Sequence, residues 1–260
     1  MSMEGTRSIE VWLVDLDQSA RALDALEQAK PRLSDEDEQR IARFADPAQA
    51  LRRRRAAIAL RALIAAATHD ASLDRQPFRH RPQGKPLLEN ASIAFSISHA
   101  GSCSLIALAP AGVEVGVDLE RKRLLHIAED RRALLVQAAR ELTPQPLPGD
   151  GKADADGEVL HAWVRLEALA KARGCGIGRV LTEAGVLARG SGRAQQAASP
   201  TSPAAEAFPV LDLVIPQNVP GGPWYGALAS TAGTSAAREV RLLPAEFSSL
   251  QAFMDPDSCR

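Results

Sequence analysis

The residues with the clearest chemical potential are Gly116-Val117-Asp118-Leu119-Glu120. On a strand, successive side chains alternate faces, so Val113, Val115, Val117 and Leu119 point one way and Asp118 and Glu120 the other. Two carboxylates side by side are costly unless they are solvated or share a cation, and an oxygen-rich pair is what Mg²⁺ accepts. A strand end running into solvent would show the same pair. A third carboxylate lies in Trp163-Val164-Arg165-Leu166-Glu167-Ala168-Leu169-Ala170-Lys171, where Trp163, Glu167 and Lys171 fall at i, i+4 and i+8 on one helix face. Alone, that Glu–Lys pair is an ordinary exposed helix-stabilising pair. Beside the acidic strand, Glu167 completes a metal site and Lys171 can neutralise a phosphate.

Ser98 and His99 stand at the end of a predicted strand, after Gly84-Lys85-Pro86. A hydroxyl and an imidazole at a strand-to-turn junction can both donate to phosphate oxygens. A Ser–His hydrolase would instead want its serine on a sharp elbow and a separate histidine, and here the two are adjacent. Arg52-Arg53-Arg54-Arg55, with Arg61, lies on a predicted helix. Four consecutive arginines occupy every side of a helix, so at most two can face one ligand.

A chain of 260 residues with 45% hydrophobic content can bury one large core or two smaller ones. Its net charge of -1 gives no global attraction to nucleic acid or anionic membranes, so an anion site must be a local basic cluster. Only five of the 31 basic residues are lysines: Lys30, Lys85, Lys122, Lys152 and Lys171. Cys103, Cys175 and Cys259 are odd in number and lack CxxC spacing, which argues against disulfide framework and zinc site alike. The first residues lack the layout of a signal peptide, and the most apolar helical stretch is interrupted by Arg61, so a soluble cytoplasmic protein is expected.

These residues need elements to hold them. Residues 9–16 alternate as a strand, Ser34 offers an N-cap for a helix to about Phe44, and 48–67 is a strong helix. Residues 77–86 read as a loop, and 93–97 as a strand. Residues 104–109 and 113–119 are predicted to pair as a hairpin across Pro110-Ala111-Gly112. Residues 124–142 and 159–173 read as helices around a 143–157 loop, the second ended by Gly174; 180–188, 210–215, 225–229 and 239–243 read as strands, and 190–206 as a flexible loop. Strands 105–109 and 225–229 echo each other. The expected fold class is α+β: two pseudo-symmetric halves, 1–112 and 113–260, each a small mainly antiparallel sheet packed with a long helix, and the active site in the cleft between them.

In this order, Gly84-Lys85-Pro86, Phe95-Ser96-Ile97-Ser98-His99, Gly116-Val117-Asp118-Leu119-Glu120 and Trp163-x-x-x-Glu167-x-x-x-Lys171-x-x-Gly174-x-Gly176 resemble the motif series of the Sfp-type 4'-phosphopantetheinyl transferases. The resemblance implies transfer of the phosphopantetheine arm of coenzyme A to a serine of an apo acyl or peptidyl carrier protein, releasing 3',5'-ADP. A monomer is expected from the internal duplication, in which one chain supplies both walls of the cleft, and the net charge leads us to expect no nucleic-acid or membrane partner. The resemblance also implies that Asp118, Glu120 and Glu167 hold Mg²⁺, that Glu167 takes the serine proton, and that Lys171 steadies the pyrophosphate. Lys85, Ser98 and His99 match positions contacting the coenzyme A phosphates. Arg52, eight residues after Phe44, matches the arginine on the 3'-phosphate, and Arg61 the arginine at the end of that helix.

Two departures stand out. Leu166 replaces the lysine usual before the helix glutamate, and Arg165 beside it points about 100° away round the helix. The usual aromatic-then-acid block is not evident in 126–142. A coenzyme A-binding module without transfer activity is therefore the alternative, and a metal-dependent hydrolase using the same acids a third possibility.

Overall fold

A computed structural model describes residues 8–73, 75–143, 154–187, 208–232 and 239–254. Among these, seven α-helices and three small, mostly antiparallel sheets form a mixed α and β protein compatible with the α+β class. The chain order is β1 (Glu10–Asp15), α1 (Ala20–Ala29), α2 (Asp35–Ile41), α3 (Pro47–Thr68), a short pair β2 (Arg79–His80) and β3 (Pro86–Leu87), β4 (Ile93–Ala100), β5 (Cys103–Pro110) and β6 (Val115–Arg121). There follow α4 (Glu129–Leu142), α5 (Ala155–Ala172), α6 (Ile177–Glu183), β7 (Val210–Leu213), β8 (Trp224–Ser230), β9 (Val240–Leu242) and α7 (Phe247–Met254). The loop expected at 190–206 lies outside the described residues. No helix among the described residues is long and apolar enough to cross a membrane.

Local sequence explains the helices. Ser34 and Asp37 cap α2 reciprocally, each side chain accepting the other's backbone N–H. Asp46 caps α3 just before Pro47, which sits at the first turn where its missing N–H costs nothing. Asp154 accepts from Gly157 N–H at 2.7 Å to start α5, and Gly174 ends it with a left-handed φ of 63°. Helix α1 went unread in the sequence; its N-cap Ser19 makes no side-chain capping bond.

The four-stranded sheet runs β4-β5-β1-β9 and the three-stranded sheet β6-β8-β7. Period-2 alternation divides their side chains between three apolar layers. Val11, Leu13, Leu105 and Ala107 meet Val115, Val117, Leu119 and Leu228 between the two sheets. Trp12, Val14, Ile106 and Leu108 turn the other way, onto α1, α3 and α7. Ala227 and Ala229 turn onto α4, α5 and α6. After Glu239 the chain returns to the first sheet, where β9 lies parallel to β1 and α7 packs on α1.

Two expectations need correction. Residues 104–109 and 113–119 do not pair: both edges of β5 are taken by β4 and β1, so β6 crosses to the second sheet and pairs with β8. The strand expected at 180–188 is absent over 180–187, 188 lying outside the described residues: 177–183 is helix α6, and Ile177, Val180, Leu181 and Ala184, at helical spacing, pack into the core that contains α5. A short apolar run does not distinguish the two periods by itself.

One glycine sets how deeply α5 lies on β6. A Cβ at Gly116 would stand 2.1 Å from Ala168 O and 2.3 Å from Ala172 N, both backbone atoms that cannot swing aside. Gly116→Ala is expected to lower unfolding stability by about 2–3 kcal/mol or more in denaturant titration. A loss below about 0.5 kcal/mol would contradict the contact.

Candidate functional site

β4 and β6 run alongside each other at the seam of the two sheets, and serines close the edge of β6 that no strand pairs. Val117 N–H donates to Ser96 Oγ at 3.1 Å and Leu119 N–H to Ser98 Oγ at 3.3 Å. A buried donor left without an acceptor costs about 1–3 kcal/mol, so the hydroxyls do the work of a missing strand. Ser98 Oγ in turn donates to Asp118 Oδ1 at 2.7 Å. From α5, Lys171 Nζ donates to the same oxygen at 2.7 Å and to Val117 O at 3.0 Å. Asp118, only 6% exposed, is thus held by β4 on one side and α5 on the other.

Glu167 lies one helical turn before Lys171, half-buried, with no hydrogen bond or ion pair among the described residues. Burial, then the charge of Asp118, pushes its carboxyl above the ordinary range; Lys171 opposes this and Glu120 adds to it. Glu120 is paired with Arg123. The three acids expected to bind metal therefore share one electrostatic field, with two of them turned toward cations of the chain itself. Among the described residues no three His, Cys, Asp or Glu side chains stand close enough together to hold a metal ion. The donor chemistry is of the type a hard divalent ion takes, all oxygen, and Asp118 and Glu120 each carry a cation of the chain, Lys171 and Arg123, where such an ion would compete.

His99 follows Ser98 on β4. Burial, reinforced by Arg53 and Lys171, pushes its pKa down to about 3, so the ring is neutral and one nitrogen carries a hydrogen. It lines a cavity of 230 Å³ with Arg40, Arg53, Phe44, Phe78 and Pro86. In the sequence Arg53 stands only as one of a run of four arginines, of which Arg52 is singled out. Arg52 forks onto Asp17 at 3.1 and 2.8 Å, Arg54 pairs with Glu38 and Arg55 with Asp24. Arg53 makes no ion pair among the described residues; its guanidinium lies 5.5 Å from the Phe44 ring centre, and burial lowers its proton affinity. Helix α3 is buried all round from Ala56 to Ile64 except at Ala57, so hydrophobic periodicity had no phase with which to choose among the four arginines.

The remaining expected residues sit elsewhere. Lys85 Nζ donates to Glu114 Oε2 at 3.0 Å, and burial lowers its pKa although Glu114 opposes the shift. Arg81 shares Glu114 through a 2.5 Å contact, and burial of that carboxyl is outweighed by the two cations, which hold it below the ordinary range. Arg61 is buried, donating to Asp37 at 2.7 Å and to Gln76 O at 3.0 Å, with Phe78 4.3 Å from it; it anchors the start of α2. Leu166 is fully buried in the helical core behind the second sheet, and Arg165 forks onto Asp212 of β7 at 2.7 and 2.5 Å. Neither touches the Asp118–Lys171 contact.

The sequence matches no protein-family model and no curated protein. What can be said of the chemistry rests on these residues.

The neutral histidine gives the fold an acid-sensitive element. An unfolded histidine takes a proton near pH 6.5, whereas His99 resists down to about pH 3. Between these values the unfolded chain binds more protons, so stability falls as pH drops through that window. His99→Gln removes the contribution, and the fall in Tm between about pH 7 and pH 4.5 is expected to be smaller in H99Q than in the wild type. Equal falls would contradict a neutral ring at the half-buried His99.

Proposed function

We propose that this protein is an Mg²⁺-dependent 4'-phosphopantetheinyl transferase, moving the phosphopantetheine group of coenzyme A to a serine of an acyl or peptidyl carrier protein in the cytoplasm. The observation that carries the reading is the convergence at Asp118: Ser98 from β4 and Lys171 from α5 meet on one buried carboxylate, with Glu167 in its field. These residues come from three of the four motifs that resemble the transferase family. A two-half architecture is supported by the echoing strands, since β5 is one of the two interior strands of its sheet and β8 the interior strand of the other, and by α3 and α5, the long helices that pack on them.

On this reading Asp118, Glu120 and Glu167, which do not converge in the arrangement described, would draw together to hold Mg²⁺, which would supply neutralisation of the charge on pyrophosphate oxygens. Lys171 offers a fixed positive charge next to that position. Glu167, with its raised proton affinity, takes the proton as the serine oxygen forms its bond to the β-phosphorus and the bond to 3',5'-ADP breaks. The cavity between Arg53 and His99 suits the 3'-phosphate and adenine: a cation without a carboxylate partner among the described residues, a neutral N–H donor, and the aromatic walls Phe44 and Phe78. This gives Arg53 the role that the resemblance assigns to Arg52, whose fork is filled by Asp17. A non-transferring coenzyme A-binding module remains the second reading, favoured by the Lys171 and Arg123 cations that occupy Asp118 and Glu120.

Release of 3',5'-ADP in the presence of coenzyme A, Mg²⁺ and an apo carrier protein separates the readings. Asp118→Ala and Glu167→Gln are each expected to lower that rate at least about 100-fold. Near-full activity of D118A would sink the metal assignment. In calorimetric titration, Arg53→Ala is expected to weaken coenzyme A binding about 10-fold and Arg52→Ala less than about 3-fold, in line with the worth of a charge-assisted phosphate contact. The reverse order would return the phosphate to Arg52.

A further inference from the structure

Residues 79–87 form a small hairpin of β2 and β3, whose turn is closed by Arg81 N–H donating to Lys85 O at 2.9 Å and needs Gly84 at a φ of 88°. The turn sets two cations side by side, and both reach one carboxylate. Arg81 forks onto Glu114 at 2.5 and 3.1 Å, and Lys85 Nζ donates to the same side chain at 3.0 Å. Glu114 is itself fixed one residue before β6: its N–H donates to Thr231 Oγ1 at 3.0 Å and its carbonyl accepts Thr231 N–H at 3.1 Å. Lys85, with 12% of its side chain exposed, also approaches Ala172 O at 3.5 Å, at the end of α5. A Cβ at Gly174 would stand 2.8 Å from Arg81 Nη1, so the guanidinium lies directly over the residue that ends the helix. Cations suit this place, because the last carbonyls of a helix carry its negative pole.

The hairpin has a second commitment at its other end. Phe78, the residue before it, and Pro86 of β3 line the 230 Å³ cavity shared by Arg53 and His99. Phe78 is seated there by the Phe95 ring at 5.1 Å and by Arg61 at 4.3 Å. Among the described residues, the hydrogen bonds from the hairpin to Glu114 and α5 all run through Arg81 and Lys85. Ala172, beside Lys85, is also one of the two alanines resting on Gly116, and it follows Lys171 directly. One clamp therefore joins the cavity wall to the part of α5 that presents Lys171, with Glu167 about 7.5 Å farther along the axis.

We infer that Glu114 is a positioning residue for group transfer: by gripping Arg81 and Lys85 it fixes the spacing between the cavity that takes coenzyme A and the acid face of α5. The inference rests on the transfer reading, and it assigns Lys85 to this clamp rather than to a phosphate. Glu114 does not line the cavity and is bonded to cations of the hairpin, so its effect passes through the hairpin and the helix end. Released spacing acts on orientation, and a misplacement of about 1 Å can cost a reaction about 100-fold. Binding in the cavity keeps its own donors, Arg53 and His99.

The test uses the full chain with Glu114→Gln, Lys85→Met and the two together; the double variant leaves no buried ammonium without a partner and keeps the test open should E114Q unfold. Each is expected to lower the rate of 3',5'-ADP release from coenzyme A, with Mg²⁺ and an apo carrier protein present, at least about 10-fold. Coenzyme A affinity by calorimetry is expected to stay within about twofold, and the double variant to be no slower than the slower single one. Deuterium exchange of residues 168–176 gives a readout that needs no transfer: coenzyme A is expected to slow it at least about 3-fold in the wild type and to leave it unchanged in E114Q. Affinity that weakens as much as the rate falls would return Lys85 to the phosphate and overturn the clamp. An unchanged rate beside an active wild type, additive losses in the double variant, or slowing of exchange that is absent from the wild type or persists in E114Q would each overturn it too. Should the wild type bind coenzyme A without transferring it, slowing lost in E114Q would sustain the clamp and overturn the transfer reading. A wild type that binds no coenzyme A would overturn both.

Discussion

The arrangement hangs on the contact of α5 with β6 at Gly116, where the helix backbone lies so close that no side chain fits. Depth and phase follow from it. With Ala168 and Ala172 resting on Gly116, Lys171 reaches Val117 O and Asp118, and Glu167 lies in the field of Asp118 and Glu120. The other face of β6 is committed as well, because Val115, Val117 and Leu119 fill the layer between the sheets. A strand held on both faces cannot shift register without moving its carboxylates to the wrong side.

Electrostatically the seam is a balance that a phosphorylated ligand and a divalent ion would redistribute. Asp118 is satisfied by a hydroxyl and an ammonium, Glu120 by a guanidinium, and Glu167 by neither; burial, and then the charge of Asp118, raises its proton affinity. On the other flank, Arg53 and the neutral His99 line a cavity whose one lining carboxylate among the described residues, Asp37, is bonded to Arg61 rather than to Arg53. Fixed donors and charges of this kind need no rearrangement when charge moves between phosphoryl oxygens, which is where preorganised sites gain most of their rate.

Much of this was legible in the sequence, and for identifiable reasons. Alternation along 113–120 separated the apolar face from the acids, and helical spacing put Glu167 and Lys171 on one face. Ser34 and Gly174 marked their helix ends. Partnerships over long sequence distances were not legible. Nothing local shows that Asp17 fills the fork of Arg52, that Glu114 holds Lys85, or that β5 has no free edge for β6. Leu166 reads as a lost lysine by position, whereas in the fold it is a core residue at the back of α5.

The central claim is that the acids around Glu167 serve group transfer from coenzyme A to a protein hydroxyl. Its most direct measurement is the intact mass of an apo carrier protein after incubation with this protein, coenzyme A and Mg²⁺. A gain equal to one phosphopantetheine, dependent on Mg²⁺ and localised to the acceptor serine, is the expected result. Coenzyme A binding with no mass gain would contradict the claim.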